Sequence, residues 1–472
     1  MLALPPLFID RMQRLLRDDY AAFEQAVVDT ESPVSIRFNS DKSVIDVTAY
    51  PSVAWSGGVG FYLPQRPAFT FDPLLHAGAY YVQEAASMFL GEVIRQWIHQ
   101  PVKYLDLCAA PGGKTTHALS LLPQGSLVVG NEYVRTRAAI LAENVTKWGA
   151  PFSVVTNNSA ADWGAYTHFF DVVATDVPCS GEGMFRKDSE AITEWSPAAV
   201  TACAARQRDI LSNVWNALRP GGLLIYSTCT YNIEENEAMI AFLVEQYGAE
   251  PLPVIIRPEW GISSALQGDM PVYRFMPYRT KGEGLFMALL RKPDDVVADT
   301  LSRRNRKEKL AKKSGKMPQI PSIVKQWLKC PDDYEWQVEE NTIVAYPRPY
   351  AEDILRMRRD FHLLQAGIAV ATVKGKDYIP THALALSQAF NSAAFPHYEA
   401  DYSQAISYLR REAITLPLGV PTGYVVVTYR GFPLGWVKNI GSRANNLYPQ
   451  EWRIRTTYTP ENTLGIDAVR LP

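Results

Sequence analysis

The chain has 472 residues, of which 47% are apolar and 11% aromatic, and this composition excludes a generally disordered protein. Because the length exceeds what one hydrophobic core usually organises, two or three domains are expected. The 47 basic and 49 acidic residues give a net charge of −2, which excludes an overall electrostatic attraction to nucleic acid, so basic contact surfaces must be local.

The N-terminal third carries helical and strand-like patterns. Apolar residues at helical spacing predict a helix from residue 9 to about 30, followed by strands at 33–39 and 42–47 and a helix over 79–99. The first residues lack the apolar stretch of a signal peptide, and no run reaches the roughly 18 apolar residues of a membrane span. We therefore expect a cytoplasmic protein without membrane contact.

Strands and helices then alternate regularly between residues 103 and 292. The strands are predicted at 103–108, 126–132, 152–158, 169–176, 221–230 and 282–292, and the helices at 113–122, 135–149, 205–218 and 233–248. This alternation indicates βαβ units and a mostly parallel sheet covered on both faces, so the fold class is α/β.

The segment from about 294 to 320 interrupts the pattern. Its stretch SRRNRKEKLAKKSGK (302–316) carries eight basic residues and one acidic residue. It fits a solvated linker and equally an arm that binds phosphates. Beyond it, β-like runs such as TGYVVVTYRGFPLGWVKNI (422–440) predict a smaller α+β domain.

The stretch LDLCAAPGGKTTHAL (105–119) leads from a strand through a turn of small residues into a helix. Small residues let a ligand approach the backbone, and the start of a helix offers free N–H groups. A P-loop is excluded because Cys108 stands where its first glycine belongs, and the dinucleotide pattern G-x-G-x-x-G is absent as well. Glu132, at the end of the second strand, is placed to accept hydrogen bonds from ribose hydroxyls, or else is an ordinary exposed glutamate.

Two cysteines follow successive strands of the predicted sheet. Cys179 lies in ATDVPCSGEGMF (174–185), just after Asp176, and Cys229 lies in IYSTCTYN (225–232). Since the carboxyl ends of parallel strands meet at one edge, both thiols are expected in one crevice with Asp176. Most cysteines are inert apolar fillers, and a reactive one needs a nearby positive charge or hydrogen-bond donors. The three other cysteines lack such a setting, and no pattern of Cys and His predicts a metal site.

These motifs resemble the RNA cytosine-C5 methyltransferases of the Sun type. The resemblance rests on CAAPGGKTT, PCSGEG and STCT, with SIRFN (35–39), AYYVQEAASM (79–88), LRPGGLLIYSTC (218–229) and YRFMPYRTKGEGLFMALLRK (273–292) in agreement. It covers residues 1–293, and VKNIGSRANNLYPQEWRI (437–454) is similar to the C-terminal domain of the bacterial RsmF subgroup, which methylates 16S rRNA near the decoding site.

The resemblance implies a Rossmann-like core that uses S-adenosyl-L-methionine. It also implies that Cys229 attacks C6 of the target cytosine, while Cys179 assists breakdown of the adduct and Asp176 lies near the base and the methyl group. A DNA-type enzyme would exchange the roles of the two thiols. The cofactor-binding positions carried over are Cys108, Ala109, Ala110, Pro111, Gly112, Gly113, Lys114, Glu132, Asn158 and Asp176. The family commonly has an acid where Asn158 stands, with Asp162 slightly later in this chain.

The pattern of strands and helices and the resemblance together predict four segments. They are an N-terminal RNA-binding region (1–75), a methyltransferase domain (76–293), the basic linker (294–320) and a PUA-like C-terminal domain (321–472). Arg37, Asn39, the linker and the C-terminal domain are expected to bind RNA, although the last could also be a scaffold. The resemblance implies a monomer whose partner is 16S rRNA within the small ribosomal subunit. The alternatives are a tRNA cytosine-C5 methyltransferase and a non-catalytic ribosome-assembly factor.

Overall fold

A computed structural model describes residues 3–46, 49–294, 320–458 and 469–471. Its N-terminal region forms a three-stranded antiparallel sheet with the order β3-β1-β4. The elements are α1 (Pro6–Leu16), α2 (Tyr20–Val28), β1 (Val34–Phe38), β2 (Val44–Ile45), β3 (Gly60–Leu63), α3 (Pro73–His76) and β4 (Tyr80–Val82).

Two predictions for this region are wrong in detail. The helix predicted over 9–30 is interrupted at Arg17, whose φ of 51° is left-handed, and a 3₁₀ turn over Arg17–Asp19 separates α1 from α2. The helix predicted over 79–99 begins only at Leu90, because β4 pairs with β1 through Ile36↔Val82 and Phe38↔Tyr80. Tertiary pairing of aromatic and β-branched residues here overrides a local helical period.

The central part is a sheet flanked by helices on both faces. Its helices are α4 (Leu90–Trp97), α5 (Gly113–Leu121), α6 (Arg135–Trp148), α7 (Ala160–Gly164), α8 (Ser189–Glu194), α9 (Pro197–Val214) and α10 (Glu237–Tyr247). Its strands are β5 (Lys103–Asp106), β6 (Leu127–Asn131), β7 (Ser153–Thr156), β8 (Phe170–Asp176), β9 (Leu218–Thr228), β10 (Glu250–Leu252), β11 (Val272–Phe275) and β12 (Leu285–Arg291).

This sheet confirms the predicted α/β class. Strands β9-β8-β5-β6-β7 are mutually parallel, and β12 pairs antiparallel with β9. Neighbouring residues of one strand enter separate cores, since Leu105 packs on one face and Tyr104 on the other. Burial on both faces explains the nearly continuous apolar runs of these strands.

The C-terminal part has two further four-stranded sheets, β13-β14-β16-β17 and β18-β19-β20-β21. Its elements are α11 (Ser322–Lys325), β13 (Tyr334–Glu339), β14 (Thr342–Pro347), α12 (Ala351–Asp360), β15 (Leu363–Ala366), β16 (Ile368–Lys374), β17 (Asp377–Pro380), α13 (His382–Leu386), β18 (His397–Glu399), α14 (Tyr402–Leu409), β19 (Gly423–Tyr429), β20 (Phe432–Asn439), β21 (Ala444–Asn446) and β22 (Val469–Arg470). The β-like run predicted at 422–440 is confirmed as β19 and β20.

The C-terminal part is attached to both other parts. Strand β15 extends the central sheet by pairing with β7, and one apolar core joins Phe38 and Phe61 of the N-terminal sheet to Val425 and Leu434. The predicted basic linker lies almost wholly outside the described residues. Within the described ranges, no helix is long and apolar enough to span a bilayer.

Candidate active site

The carboxyl ends of β5, β8 and β9 bring the motif residues together. Asp106 ends β5, Asp176 ends β8, and Cys229 directly follows β9. Strands β6 and β7 lie on one side of β5 in the sheet, and β8 and β9 lie on the other side. The loops that follow β5 and β8 therefore lead away from each other, although the two strands are adjacent. At such a switch point a crevice opens between the loops, and open α/β sheets bind their ligands there.

The two thiols in this crevice lie in contact. The Sγ atoms of Cys179 and Cys229 are 3.3 Å apart, and both cysteines are free and half-buried. The hydrogen bond to Cys229, together with burial and the nearby carboxylates of Glu235 and Asp176, raises the pKa of Cys179 well above its ordinary value. Cys179 therefore keeps its proton, and an S–H group directed at Cys229 would stabilise a thiolate there.

Asp176 is fixed from two sides. Its Oδ1 accepts a hydrogen bond from Ser227 Oγ at 2.7 Å, and its Oδ2 lies 2.8 Å from Lys114 Nζ. Burial alone would lower the pKa of Lys114, but the Asp176 carboxylate, together with Asp106 and Cys229, outweighs burial, and the pKa lies above its ordinary value. Lys114 is thus a permanent positive charge, close enough to Cys229 to interact with it electrostatically. The Asp176 side chain keeps 36% of its exposure, so a ligand can reach it.

A buried glutamate, which the sequence reasoning missed, holds the loop after Cys229. The Glu182 side chain is 2% exposed. It accepts hydrogen bonds from Trp195 Nε1 (3.0 Å), Thr230 Oγ1 (2.6 Å), Tyr231 N (2.8 Å) and Asn232 N (2.9 Å). Since Glu182 belongs to PCSGEG and three of its four partners directly follow Cys229, one carboxylate links the loops that carry Cys179 and Cys229, which we call the thiol loops.

A second buried carboxylate, Glu235, reinforces this link. It accepts hydrogen bonds from Ser180 N (3.0 Å), Gln207 Nε2 (2.7 Å) and Asn232 Nδ2 (2.8 Å). Burial raises the pKa of Glu235 above its ordinary value. The separation of the thiols is therefore set by side chains that do not themselves enter the crevice.

The turn between β5 and α5 is shaped by glycine and held by α6. Gly112 has a φ of 113°, and a Cβ there would lie 3.2 Å from Leu141 Cδ1. Arg137 Nη2 donates to the Ala110 carbonyl at 2.9 Å, and Asn144 Nδ2 donates to the Pro111 carbonyl at 2.8 Å. Cys108 begins this turn, and burial raises the pKa of its thiol to about 12, so it stays protonated.

Carboxylates predominate on the cofactor side of the crevice. Asp106, which the sequence reasoning did not single out, is 2% exposed and accepts from Thr115 Oγ1 at 2.6 Å. Burial raises its pKa to about 7, and the negative charges of Asp176 and Glu132 add to this. Asp106 and Asp176 therefore lie near Lys114, while Asp176 and Glu132 interact electrostatically with Asp106, and we call these three carboxyl groups the acidic cluster. Their negative charge fits S-adenosyl-L-methionine, whose sulfonium and amino groups are positive.

We expect the stability of the protein to fall as pH rises from about 4 to about 7. The folded-state pKa of Asp106 is about 7, whereas an unfolded aspartate has one near 3.9, so the folded state binds the extra proton in this window. Between about pH 5.5 and pH 7 the free energy of unfolding should drop by about 2 kcal/mol. In urea unfolding curves, Asp106→Asn should remove the part of this pH dependence that Asp106 contributes, while that of Glu235, whose pKa is also raised, remains. The exposed Asp209→Asn is the control, and an unchanged slope in Asp106→Asn would contradict the assignment.

Glu132 and Asn158 lie at the far side of the crevice. Glu132 is buried, and its Oε1 accepts from Val134 N at 2.9 Å. The Asn158 Oδ1 atom accepts from the backbone N–H of His362, at 3.1 Å, just before β15. An amide oxygen has two lone pairs, so one remains for a ligand amino group. Asp162 caps α7 through Ser159 instead of entering the crevice.

The prediction that Arg37 and Asn39 bind RNA is wrong, because both side chains are fully buried. Arg37 donates to Gln83 Oε1 at 2.5 Å and to Thr116 Oγ1 at 2.6 Å, and it stacks 4.3 Å from the Trp148 ring centre. Asn39 donates to the carbonyls of Gly78 and Trp148. Both therefore join the N-terminal sheet to the central part.

Three protein-family models match the chain. They are 16S rRNA methyltransferase RsmB/F over residues 98–291, the N-terminal domain of 16S rRNA methyltransferase RsmF over 4–85, and the methyltransferase RsmF PUA domain over 395–454. Curated relatives carry the name ribosomal RNA small subunit methyltransferase F. The one from Enterobacter sp. (strain 638) is 32% identical over 79% of this chain and 78% of its own length. The one from Erwinia tasmaniensis is 29% identical over 95% and 96%.

Solved structures share the fold of about three fifths of this chain. A methyltransferase homolog protein from Pyrococcus horikoshii superposes with a TM-score of 0.53 and 25% identity, over 62% of this chain and 96% of that one. NSun6 from the same organism, solved with SFG, gives a TM-score of 0.51 with 18% identity, over 62% and 99% of the two chains.

Proposed function

The chain belongs to the RsmB/F family of 16S rRNA methyltransferases, which use S-adenosyl-L-methionine, and we propose that it methylates C5 of one cytidine in the decoding region of 16S rRNA. The proposed reaction passes through a covalent bond between Cys229 and C6 of the base. The observation that carries this proposal is the pair of thiols 3.3 Å apart, beside Asp176, at the switch point of the sheet.

C5 of cytosine is too weak a nucleophile to be methylated directly. Attack of the Cys229 thiolate on C6 forms an S–C6 bond and moves the electron pair of the C5–C6 double bond to C5. C5 can then attack a methyl group, and the bond from that methyl group to its sulfur breaks, leaving the electron pair on the sulfur. The C5 proton then passes to solvent, the electrons of the C5–H bond restore the double bond, and the S–C6 bond breaks to return the thiolate. Covalent catalysis of this kind divides one difficult step into easier ones.

The neighbours of Cys229 support this assignment. The Lys114 ammonium group and the S–H of Cys179 both favour negative charge on the Cys229 sulfur. Once Cys229 is bound to the base, Cys179 would be in contact with the new thioether, a position suited to assisting the elimination. Asp176 can accept a hydrogen bond from the cytosine amino group while Ser227 and Lys114 hold it in place.

The cofactor would be held opposite the thiols by the residues of the turn and the acidic cluster. When bound, S-adenosyl-L-methionine supplies a methyl group on a sulfonium. The turn from Cys108 to Lys114 would present the backbone N–H groups at the start of α5 to the cofactor, and Glu132 would accept from its ribose hydroxyls. Asn158 would contact the adenine amino group through its remaining lone pair.

Small ribosomal subunits from cells that lack the protein, incubated with the enzyme and tritiated S-adenosyl-L-methionine, test the proposal. We expect label in 5-methylcytosine at one site of 16S rRNA, close to the decoding region. Subunits from cells that contain the protein are already methylated and should take up none. Label confined to tRNA, or a methyl group on a base atom other than C5 of cytosine, would overturn the proposal.

A further inference from the structure

A basic cleft lies between the N-terminal region and the central part, outside the crevice already described. Its volume is about 990 Å³, and it is lined by residues 30–34 and 63–66 on one side and by 186–187 and 277–282 on the other. We call it the basic cleft because its lining includes five arginine and lysine side chains and one acidic residue, Glu31. In a chain with a net charge of −2, this is a pronounced local excess of positive charge.

One of the five cations, Arg186, is occupied by contacts within the protein. The Arg186 side chain is 6% exposed, pairs with Glu283 at 2.9 Å, and donates to the carbonyls of Ala26 and Gly282. It neutralises Glu283, whose side chain is 2% exposed. The four remaining cations are exposed to solvent and available to a ligand, and they are Arg66, Lys187, Arg279 and Lys281. Lys187 lies only loosely against Glu283, at 3.9 Å.

The segments that line the cleft are either continuous with the loop that carries Cys179 or in contact with it. The Gly183 N–H donates to the Cys229 carbonyl at 2.9 Å, and a Cβ on Gly183 would lie 2.8 Å from the Gly284 carbonyl oxygen. The segment that carries Cys179 thus runs on to Lys187, while Lys281 and Gly282 stand on the adjoining segment. The segments that carry these cations therefore contact the backbone at Cys229.

We propose that the basic cleft binds the sugar-phosphate backbone of the 16S rRNA strand next to the target cytidine. Lysine and arginine side chains lining a groove are the usual means of holding phosphates without reading the sequence. Tyr278 supplies aromatic surface in the cleft, while the Lys281 ammonium group lies 4.5 Å from the ring centre of the buried Tyr62. This inference rests on the proposed function, since it takes Cys229 as the place of the target base.

The test measures binding of in vitro transcribed 16S rRNA to the R66Q/K187Q/R279Q/K281Q variant at several salt concentrations. Each lost phosphate contact should flatten the slope of log K against log salt by about 0.7, so four contacts give a change of about 3. We expect binding at least tenfold weaker at about 0.15 M salt. At saturating rRNA, the single-turnover methylation rate should stay near that of the wild type.

The control variant R208Q/R219Q/R257Q/R359Q loses the same charge from exposed arginines outside the cleft, and its affinity should remain close to that of the wild type. Binding of S-adenosyl-L-methionine verifies that each variant is folded. If the cleft variant fails this check, the pairs R66Q/K281Q and K187Q/R279Q are measured against the same criterion.

Two results would overturn the inference. One is a cleft variant that binds rRNA with the affinity and salt slope of the control. The other is unchanged binding to naked rRNA with weakened binding to intact subunits, which would make a ribosomal protein the occupant. Neither result depends on which base atom is methylated, so failure of the cleft is distinguishable from failure of the proposed reaction.

Discussion

Cys229→Ala is expected to abolish methylation of 16S rRNA, with a rate loss on the order of 10⁴-fold or more, and to form no protein–RNA adduct. Without the thiolate at C6, C5 never becomes a nucleophile, and Cys179, the thiol in contact with Cys229, keeps its proton. Cys179→Ala should behave differently, since attack by Cys229 remains possible while release is slowed. This variant should accumulate a covalent adduct that survives denaturation.

Tritiated S-adenosyl-L-methionine and denaturing gels distinguish these outcomes in one experiment. Cys203→Ala is the matched control, because Cys203 is also half-buried but lies on α9, outside the thiol pair. It should methylate at the wild-type rate. An adduct trapped by Cys229→Ala, with Cys179→Ala inactive and free of adduct, would exchange the two roles and indicate a DNA-type mechanism.

The parallel strands of the central sheet could be predicted because the apolar character of their residues matches their burial on both faces. Strands buried on both faces need apolar residues at nearly every position, so β5, β6 and β8 stand out as short apolar runs between helices. The same topology places Cys179 and Cys229 at neighbouring strand ends. Their contact therefore follows from strand order, which local spacing and the right-handed βαβ crossover largely determine.

Features that depend on distant partners could not be predicted in this way. Strand β15 joins the central sheet through β7, which lies about two hundred residues earlier in the chain, and no local pattern indicates this pairing. Arg37 was assigned to RNA because it is charged, but the surface that buries it comes from Gln83, Thr116 and Trp148. Charge is visible in a sequence, whereas burial is a property of the assembled fold.

The contacts of Glu182 are a further example of nonlocal contacts that shape the site. Its replacement should have the second largest effect on methylation activity. In Glu182→Ala, the four donors that now reach the carboxylate would be left in a buried space without an acceptor. Each unsatisfied donor costs about 1–3 kcal/mol, so the thiol loops should lose several kcal/mol of local stability. We expect kcat to fall about 10²-fold or more, while the affinity for S-adenosyl-L-methionine stays within about threefold.

Glu182→Gln keeps the size and shape of the side chain but removes its negative charge, whereas Glu182→Ala removes both. Its single carbonyl can face either Trp195 Nε1 or the Thr230–Asn232 segment, and its NH₂ group must then oppose a donor on the other side. Activity should therefore lie between those of the wild type and Glu182→Ala, and the yield of trapped adduct in a Cys179→Ala background should decline in the same order. Glu194→Ala, an exposed glutamate on α8, is the control and should leave kcat unchanged. Because Glu182 touches neither thiol, a wild-type kcat in Glu182→Ala would mean that the Cys179–Cys229 separation is maintained without it, by Glu235 and its partners.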